Sequence, residues 1–487
     1  MYLRGMKAKK EIKLLKKQVK ELLIQVKELG EENAMLKKEN IELRAKNKEL
    51  EEQNEQLKRE LNANSKNSHK PPSTEGFKKQ PALGKEEEKN RGGQVGHAGK
   101  TLEMVEKADR HEVHYAANCK ICGRLFQAGE VEGIVSKRQV FDIPAPRLEV
   151  VEHQIGKITC CGHAQEGFYP KGVENHTQYG TKIRALSVLL SSSYSMPFGR
   201  ISQLLEDLYG CSYNESTAIK ANEDCYELLE ETSSYITNQV ETAAVVHFDE
   251  TGSRVKGSLH WFHVASTAMF TYFFAHKNRG HKALRSEDSI LKDYKGCAIH
   301  DSLCVYFGYK NISQHGLCNA HILRELTALI EAKSCWAVSM HKLLMDMYKS
   351  SDKGKKVVPD PLTCIEKYEM ICRQADEEEP PPTKYKGKLK STKGRNLLNR
   401  LTKHQSAVLA FAFYEQVPFT NNQAERDIRC LKVKQKVSNC FRTFRGAQLF
   451  ARIQGFLSSV RKHTLNAFQQ LVNVFSFQFQ PTLVLVG

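Results

Sequence analysis

A chain of 487 residues with a formal net charge of +17 and a pI near 9.1 suits a polyanionic partner, and basicity alone leaves DNA, RNA and anionic membrane surfaces in play. No uninterrupted apolar run approaches the length of a membrane span and the opening MYLRGMKAKK lacks a signal-peptide core, so the expectation is a soluble cytoplasmic protein with no membrane partner. The 14 cysteines are scattered through a long chain, which points to reduced thiols and metal ligands rather than to a disulfide scaffold.

The first 61 residues carry the most regular pattern. Leu15, Leu22, Leu29, Leu36, Leu43, Leu50 and Leu57 recur every seven residues, accompanied by Ile12, Val19, Val26, Asn33, Asn40, Asn47, Asn54 and Leu61. Leucine at d with Ile or Val at a predicts a parallel coiled coil, in which buried asparagines give up stability to fix register and strand number. Glu32 with Lys37, Glu39 with Arg44, and Lys46 with Glu51 pair opposite charges across such an interface. At about 1.5 Å per residue the rod extends roughly 75 Å. A homodimer or higher homo-oligomer is expected, the alternative being one helix folded back on its own protein.

Residues 62–105 lose this pattern to Asn, Ser, Lys, Pro and Gly, and read as a flexible basic linker. Within 106–175, Cys119-Lys-Ile-Cys122-Gly precedes a β-rich stretch from Val140 to Ile158 and then Cys160-Cys161-Gly162-His163. Two cysteine pairs at this distance predict a zinc-finger-like module holding Zn²⁺ through Cys119, Cys122, Cys160 and either Cys161 or His163. Adjacent cysteines depart from the usual spacing, and thiols that are merely buried are the alternative. Residues 176–240 read as three short amphipathic helices, compatible with a helix-turn-helix that offers Asn214, Ser216, Thr217 and Lys220 to a DNA groove, or with plain packing.

An α/β domain is expected over 241–445. The apolar run from Ala243 to Phe248 predicts a strand ending in Asp249; alternation at Leu259, Trp261, His263 and Ala265, and the run from Met269 to Ala275, predict two more. A helix from His281 to Tyr294 would lead to a fourth strand, Cys297–His300, ending in Asp301. Strand, strand, strand, helix, strand is how an RNase H-like core begins, with acids held close at the ends of its first and fourth strands. His315, Cys318 and His321 at a helix start are candidate metal ligands or core residues, and a helical insertion is expected over about 325–415.

Glu425, in TNNQAERDIRCLKVKQK, heads a basic helix. Arg426, Arg429, Lys432, Lys434, Lys436, Arg442 and Arg445 outnumber Asp427, a one-sidedness that favours contact with DNA phosphates. Asn422 with Glu425 is equally a capping box. Residues 446–487 read as a helical segment. Three acids from separate elements, Asp249, Asp301 and Glu425, can together hold two Mg²⁺ or Mn²⁺ ions for phosphodiester chemistry without a protein nucleophile.

HFDET, HDS followed by Tyr306, HGLCNAHILREL and TNNQAERDIR resemble the core motifs of the insertion-sequence-66 family of bacterial DDE transposases. GGQVGHAGKTL and FRTFRGAQLFARIQGFLSSV are similar to its glycine-rich and C-terminal segments. The resemblance implies an RNase H-like DDE enzyme with catalytic acids Asp249, Asp301 and Glu425 that cuts and joins DNA at the ends of a mobile element. It further implies element ends and target DNA as partners and a nucleoid-associated cytoplasmic location, with accessory proteins of the same element as candidate partners whose requirement the sequence leaves open. A non-catalytic DNA-binding regulator and a nuclease without strand transfer are the competing readings.

Overall fold

The structure is a computed structural model that describes residues 2–61, 102–161, 163–352, 354–385, 388–481 and 485. The expected linker, up to residue 101, and the glycine-rich segment before Leu102 lie outside them. The chain divides into two compact units, Met1–Gln80 with Asn319–Gln405, and Pro81–Cys318 with Ser406–Gly487.

The first unit contains α1, a single helix over Tyr2–Leu61 that no proline interrupts. Its leucine stripe lies bare, with Leu15, Leu22, Leu29, Leu36, Leu43 and Leu50 between 51 and 58% exposed. The ion pairs Lys17–Glu21 and Lys27–Glu31, both 4.0 Å and open to solvent, add little. The other part consists mainly of helices at Asn319–Glu331, Cys335–Ser350, Pro361–Glu378 and Lys393–Lys403. They close on Trp336, Met340, Leu344, Tyr368, Leu397 and Leu401, all buried. Glu378 caps the second of these helices by accepting from the backbone N–H groups of Cys335 and Trp336 at 3.0 and 3.1 Å.

In the second unit, the segment expected to be β-rich forms no strand before Lys157; Val140, Ile143 and Val150 are 85–91% exposed. Among the described residues of this segment, only the short hairpin Lys157–Cys160 with His163–Glu166 forms. Four helices follow, α2 (Thr181–Ser192), α3 (Phe198–Tyr209), α4 (Glu215–Leu228) and α5 (Glu230–Glu241). Gly210, at φ +59°, ends α3, and the Asn214 side chain accepts from Ser216 N–H to start α4.

The central sheet has five strands, β1 (Val245–Val255), β2 (Ser258–Ser266), β3 (Thr271–His276), β4 (Cys297–His300) and β5 (Gln314–Leu317), in the order β3-β2-β1-β4-β5. β2 is antiparallel to β1 and β3, whereas β4 is parallel to β1 and β5. Asp249 was expected at a strand end and lies mid-strand instead. Thr251, Ser253 and Val255 continue the alternation and pair with β2 through a tight Lys256-Gly257 turn, at φ +49° and +78°. The helix expected from His281 to Tyr294 is reduced to one turn at His281–Leu284 and a 3-10 turn at Ile290–Lys292. Arg-Ser-Glu-Asp-Ser between them offers no apolar face, and Ser286 donates to the Ala283 carbonyl at 2.7 Å, closing the turn.

Helices α6 (Asn422–Ser438), α7 (Phe444–Lys462) and α8 (Ala467–Phe475) complete the unit. On one sheet face Val246, Phe248 and Ala298 pack with Ile236 and Val240 of α5, Phe456 and Val460 of α7, and Leu471 of α8. On the other, Val255, Phe262, Val264 and Phe273 pack against Ala424, Ile428 and Leu431 of α6 and Phe450 of α7. α7 serves both faces by lying against edge strand β3. Gly455 permits the approach, since a Cβ there would sit 3.0 Å from the Thr271 carbonyl oxygen.

Candidate active site

The parallel register of β1 and β4 runs Val245 with Cys297, Val246 with Ala298 and His247 with Ile299. Two steps further along each chain stand Asp249, still within β1, and Asp301, the first residue past the end of β4. Asp249 faces α6, because its cross-strand neighbour Val264 belongs to the core on that side. α6 carries Glu425 in its first turn. The helix starts at Asn422 with Asn421 as its cap residue, whose side chain makes no cap bond, so the Asn422–Glu425 capping box does not form.

The electrostatics tie the three acids together. Burial holds the Asp249 carboxyl well above the usual carboxylate range, and the charges of Glu250, Asp301 and Glu425 add to the shift while the Glu250 N–H opposes it. Asp301 Oδ1 is buried without a hydrogen-bond partner, and the next residue, Ser302, has a left-handed backbone at φ +73°. Glu425 Oε1 lies 3.7 Å from the Cys318 thiol. Asp249, Asp301 and Glu425 offer the carboxylate oxygens that hard divalent cations prefer, although among the described residues the oxygens of these three side chains do not all lie within 4.8 Å of one another.

Sequence reasoning passed over Glu250. It accepts from Arg279 at 2.8 Å and from the Tyr306 hydroxyl at 2.8 Å, and Arg279 lies 5.0 Å over the Trp261 ring. Burial and then Asp301 push the Glu250 carboxyl up, against the Tyr306 and Arg279 bonds. Its signal was adjacency to Asp249 in HFDET. Asp427, taken as the lone acid of a basic run, faces inward: its Oδ2 accepts from Lys462 at 2.7 Å, Ser266 at 2.6 Å and Thr271 at 3.0 Å.

Arg426, Arg429 and Lys436 project from α6 into solvent. Lys432 reaches toward the acids, where partial burial lowers its ammonium and Asp249 pulls the other way. Arg445 is occupied by Glu227 and by the Tyr226 ring, 4.0 Å away. Lys220 pairs with Asp224 at 2.9 Å, and Asp224 also holds Arg184 at 2.6 Å.

Cys119 and Cys122 occupy a tight turn closed by Gly123 N–H to Cys119 O at 3.0 Å, where hydrogen bonds from the Cys122 and Ile121 backbone lower the Cys119 thiol. Cys160 and Cys161 sit at the hairpin turn with their sulfurs 3.6 Å apart, and His163 Nδ1 is 3.0 Å from Cys161 O. Among the described residues, no three donor atoms of these five side chains lie within 4.8 Å of one another.

A family of unknown function matches residues 8–103, and no curated protein matches the chain. The transposase IS66 family matches residues 176–449, the span that holds the four helices, the whole central sheet and the acid-bearing α6. That span exceeds half of the 487 residues, and the chain belongs to the transposase IS66 family.

Proposed function

We propose that this protein is a DDE transposase that binds the ends of a bacterial insertion sequence, cuts there and joins the freed strand to target DNA. The reading is supported by one observation: Asp249 in β1 and Asp301 just past the end of β4 follow the paired His247 and Ile299 by two residues, and the charges of Asp301 and of Glu425 on α6 both act on the Asp249 carboxyl. The strand order, with the second strand alone reversed, supports an RNase H-like core.

In the first step water attacks the phosphorus at the element end, the P–O3′ bond breaks, and a 3′-hydroxyl and a 5′-phosphate result. In the second, that 3′-oxygen attacks a target phosphodiester and expels the target's own 3′-oxygen. Asp249, Asp301 and Glu425 would hold two Mg²⁺ or Mn²⁺ ions, which when bound supply Lewis-acid activation of the attacking oxygen and neutralise charge on the leaving one. Asp301 Oδ1, buried without a partner, is the atom most in need of such an ion. Arg426, Arg429, Lys432 and Lys436 would grip phosphates along the exposed side of α6, with Lys220 contributing from α4.

Around this core, α1 would pair with α1 of a second copy, which would cover its bare leucines and bring two active sites to two DNA ends. The cysteine module would hold one Zn²⁺ once its two turns close on each other. A strand-transfer assay with pre-cut element ends tests the activity. Joined product in Mg²⁺ or Mn²⁺ is expected, whereas cleavage without joining would make the protein a nuclease, and neither would favour a DNA-binding regulator.

A further inference from the structure

Asn421 is 1% exposed and stands where a helix cap belongs, yet its side chain leaves α6 unserved. An asparagine at that position ordinarily accepts from its own helix, an interaction typically worth about 1 kcal/mol. Here Nδ2 donates to the Phe248 carbonyl at 2.7 Å, on the residue before Asp249. Oδ1 faces His247 Nδ1 at 2.9 Å, two residues before Asp249. With Nδ2 committed to a carbonyl, Oδ1 must accept, so the His247 ring carries its proton on Nδ1. The Asn421 backbone N–H donates to Cys318 Sγ at 3.2 Å, just past β5, and Cys318 N–H in turn donates to the His300 carbonyl at 3.0 Å, on the residue before Asp301. One buried residue thus bonds to the chain next to each strand-borne acid, directly or through one link, four positions ahead of the helix-borne one.

We infer that Asn421 is a positioning residue that fixes the separation between Asp249, Asp301 and Glu425 and so sets the affinity of their shared metal site. The inference rests on the assignment of these acids as metal ligands. Partners of this kind behind a metal site typically contribute 10–100-fold to metal affinity or activity. Removing the amide leaves the fold's apolar contacts on Ala424, Ile428 and Leu431 in place, but frees the start of α6 to shift against β1.

The test is Mn²⁺ binding to the full chain without DNA, followed by electron paramagnetic resonance, with thermal melting alongside. Wild type should bind Mn²⁺, Asp249→Asn should lose it, and Asn421→Ala should bind 10–100-fold more weakly while still melting cooperatively. Unchanged affinity in Asn421→Ala overturns the positioning role and leaves the acids standing. Unchanged affinity in Asp249→Asn overturns the metal-site reading itself, and the positioning role with it. If Asn421→Ala does not fold, His247→Leu and His247→Gln decide the matter. The leucine removes the donor to Oδ1 and should weaken Mn²⁺ binding, the glutamine amide should restore it, and equal affinities in the two would overturn the role.

Discussion

At the scale of single residues, the acids that make the candidate site also burden the fold. Burial and its carboxylate neighbours hold Asp249 above the usual range, so ionising it at neutral pH costs the folded state stability that the unfolded chain does not lose. Asp249→Asn should therefore raise the melting temperature at pH 7, and Mn²⁺ should raise that of wild type but not of the variant. A lower melting temperature for Asp249→Asn would count against the charge crowding described here. His263 is the opposite case. Burial lowers its pKa to about 4 from 6.5, so its contribution is present above pH 6.5 and is lost as pH falls from there to about 4. Fully expressed, this amounts to roughly 3 kcal/mol. In His263→Phe, which retains a ring against Phe274, the melting temperature should fall less steeply over that window. Parallel curves for the two proteins would rule the assignment out.

At the scale of elements, α6 and α7 are pinned to the sheet by the ion pair Asp427–Lys462, both partners nearly buried. Lys462 also donates to the Thr267 and Phe270 carbonyls at 2.7 and 3.0 Å. Lys462→Met leaves a buried carboxylate uncompensated and should destabilise by about 3–5 kcal/mol in chemical denaturation. A loss below about 1 kcal/mol would mean that Asp427 finds solvent, as exposed pairs do. The basic side of α6 makes a separate expectation. If Arg429 and Lys436 each meet a phosphate, alanine at either should reduce the slope of log affinity against log salt by about 1. An unchanged slope would remove that residue from the interface.

Legibility differed among these elements for physical reasons. The strands before Asp249 and Asp301 were readable because buried strands leave short β-branched and apolar runs, and the heptads of the first helix because the seven-residue period is long and unbroken. The length of β1 was missed since its second half alternates small polar residues, which mark a strand only once β2 is paired with it. Asp427, Lys462 and Asn421 were illegible in their roles. An inward-facing polar group shows its partner only across 35 residues for Asp427 with Lys462, or 173 for Asn421 with Phe248. The Val140–Ile158 stretch misled for the converse reason, its β-forming residues standing exposed rather than packed, with no strand before Lys157.

At the scale of the whole molecule, the proposed pairing of α1 through its bare leucine stripe can be tested by mass. Light scattering should give at least twice the chain mass of 55.4 kDa, and Leu29→Glu with Leu36→Glu should reduce it toward the monomer. Monomeric wild type at micromolar concentration would contradict self-association. The central claim is that Asp249, Asp301 and Glu425 share divalent metal, and anomalous scattering from Mn²⁺-soaked crystals tests it most directly. Peaks bonded to carboxylate oxygens of all three residues are expected. Peaks confined to other groups, with these carboxylates too far apart to share an ion, would contradict it.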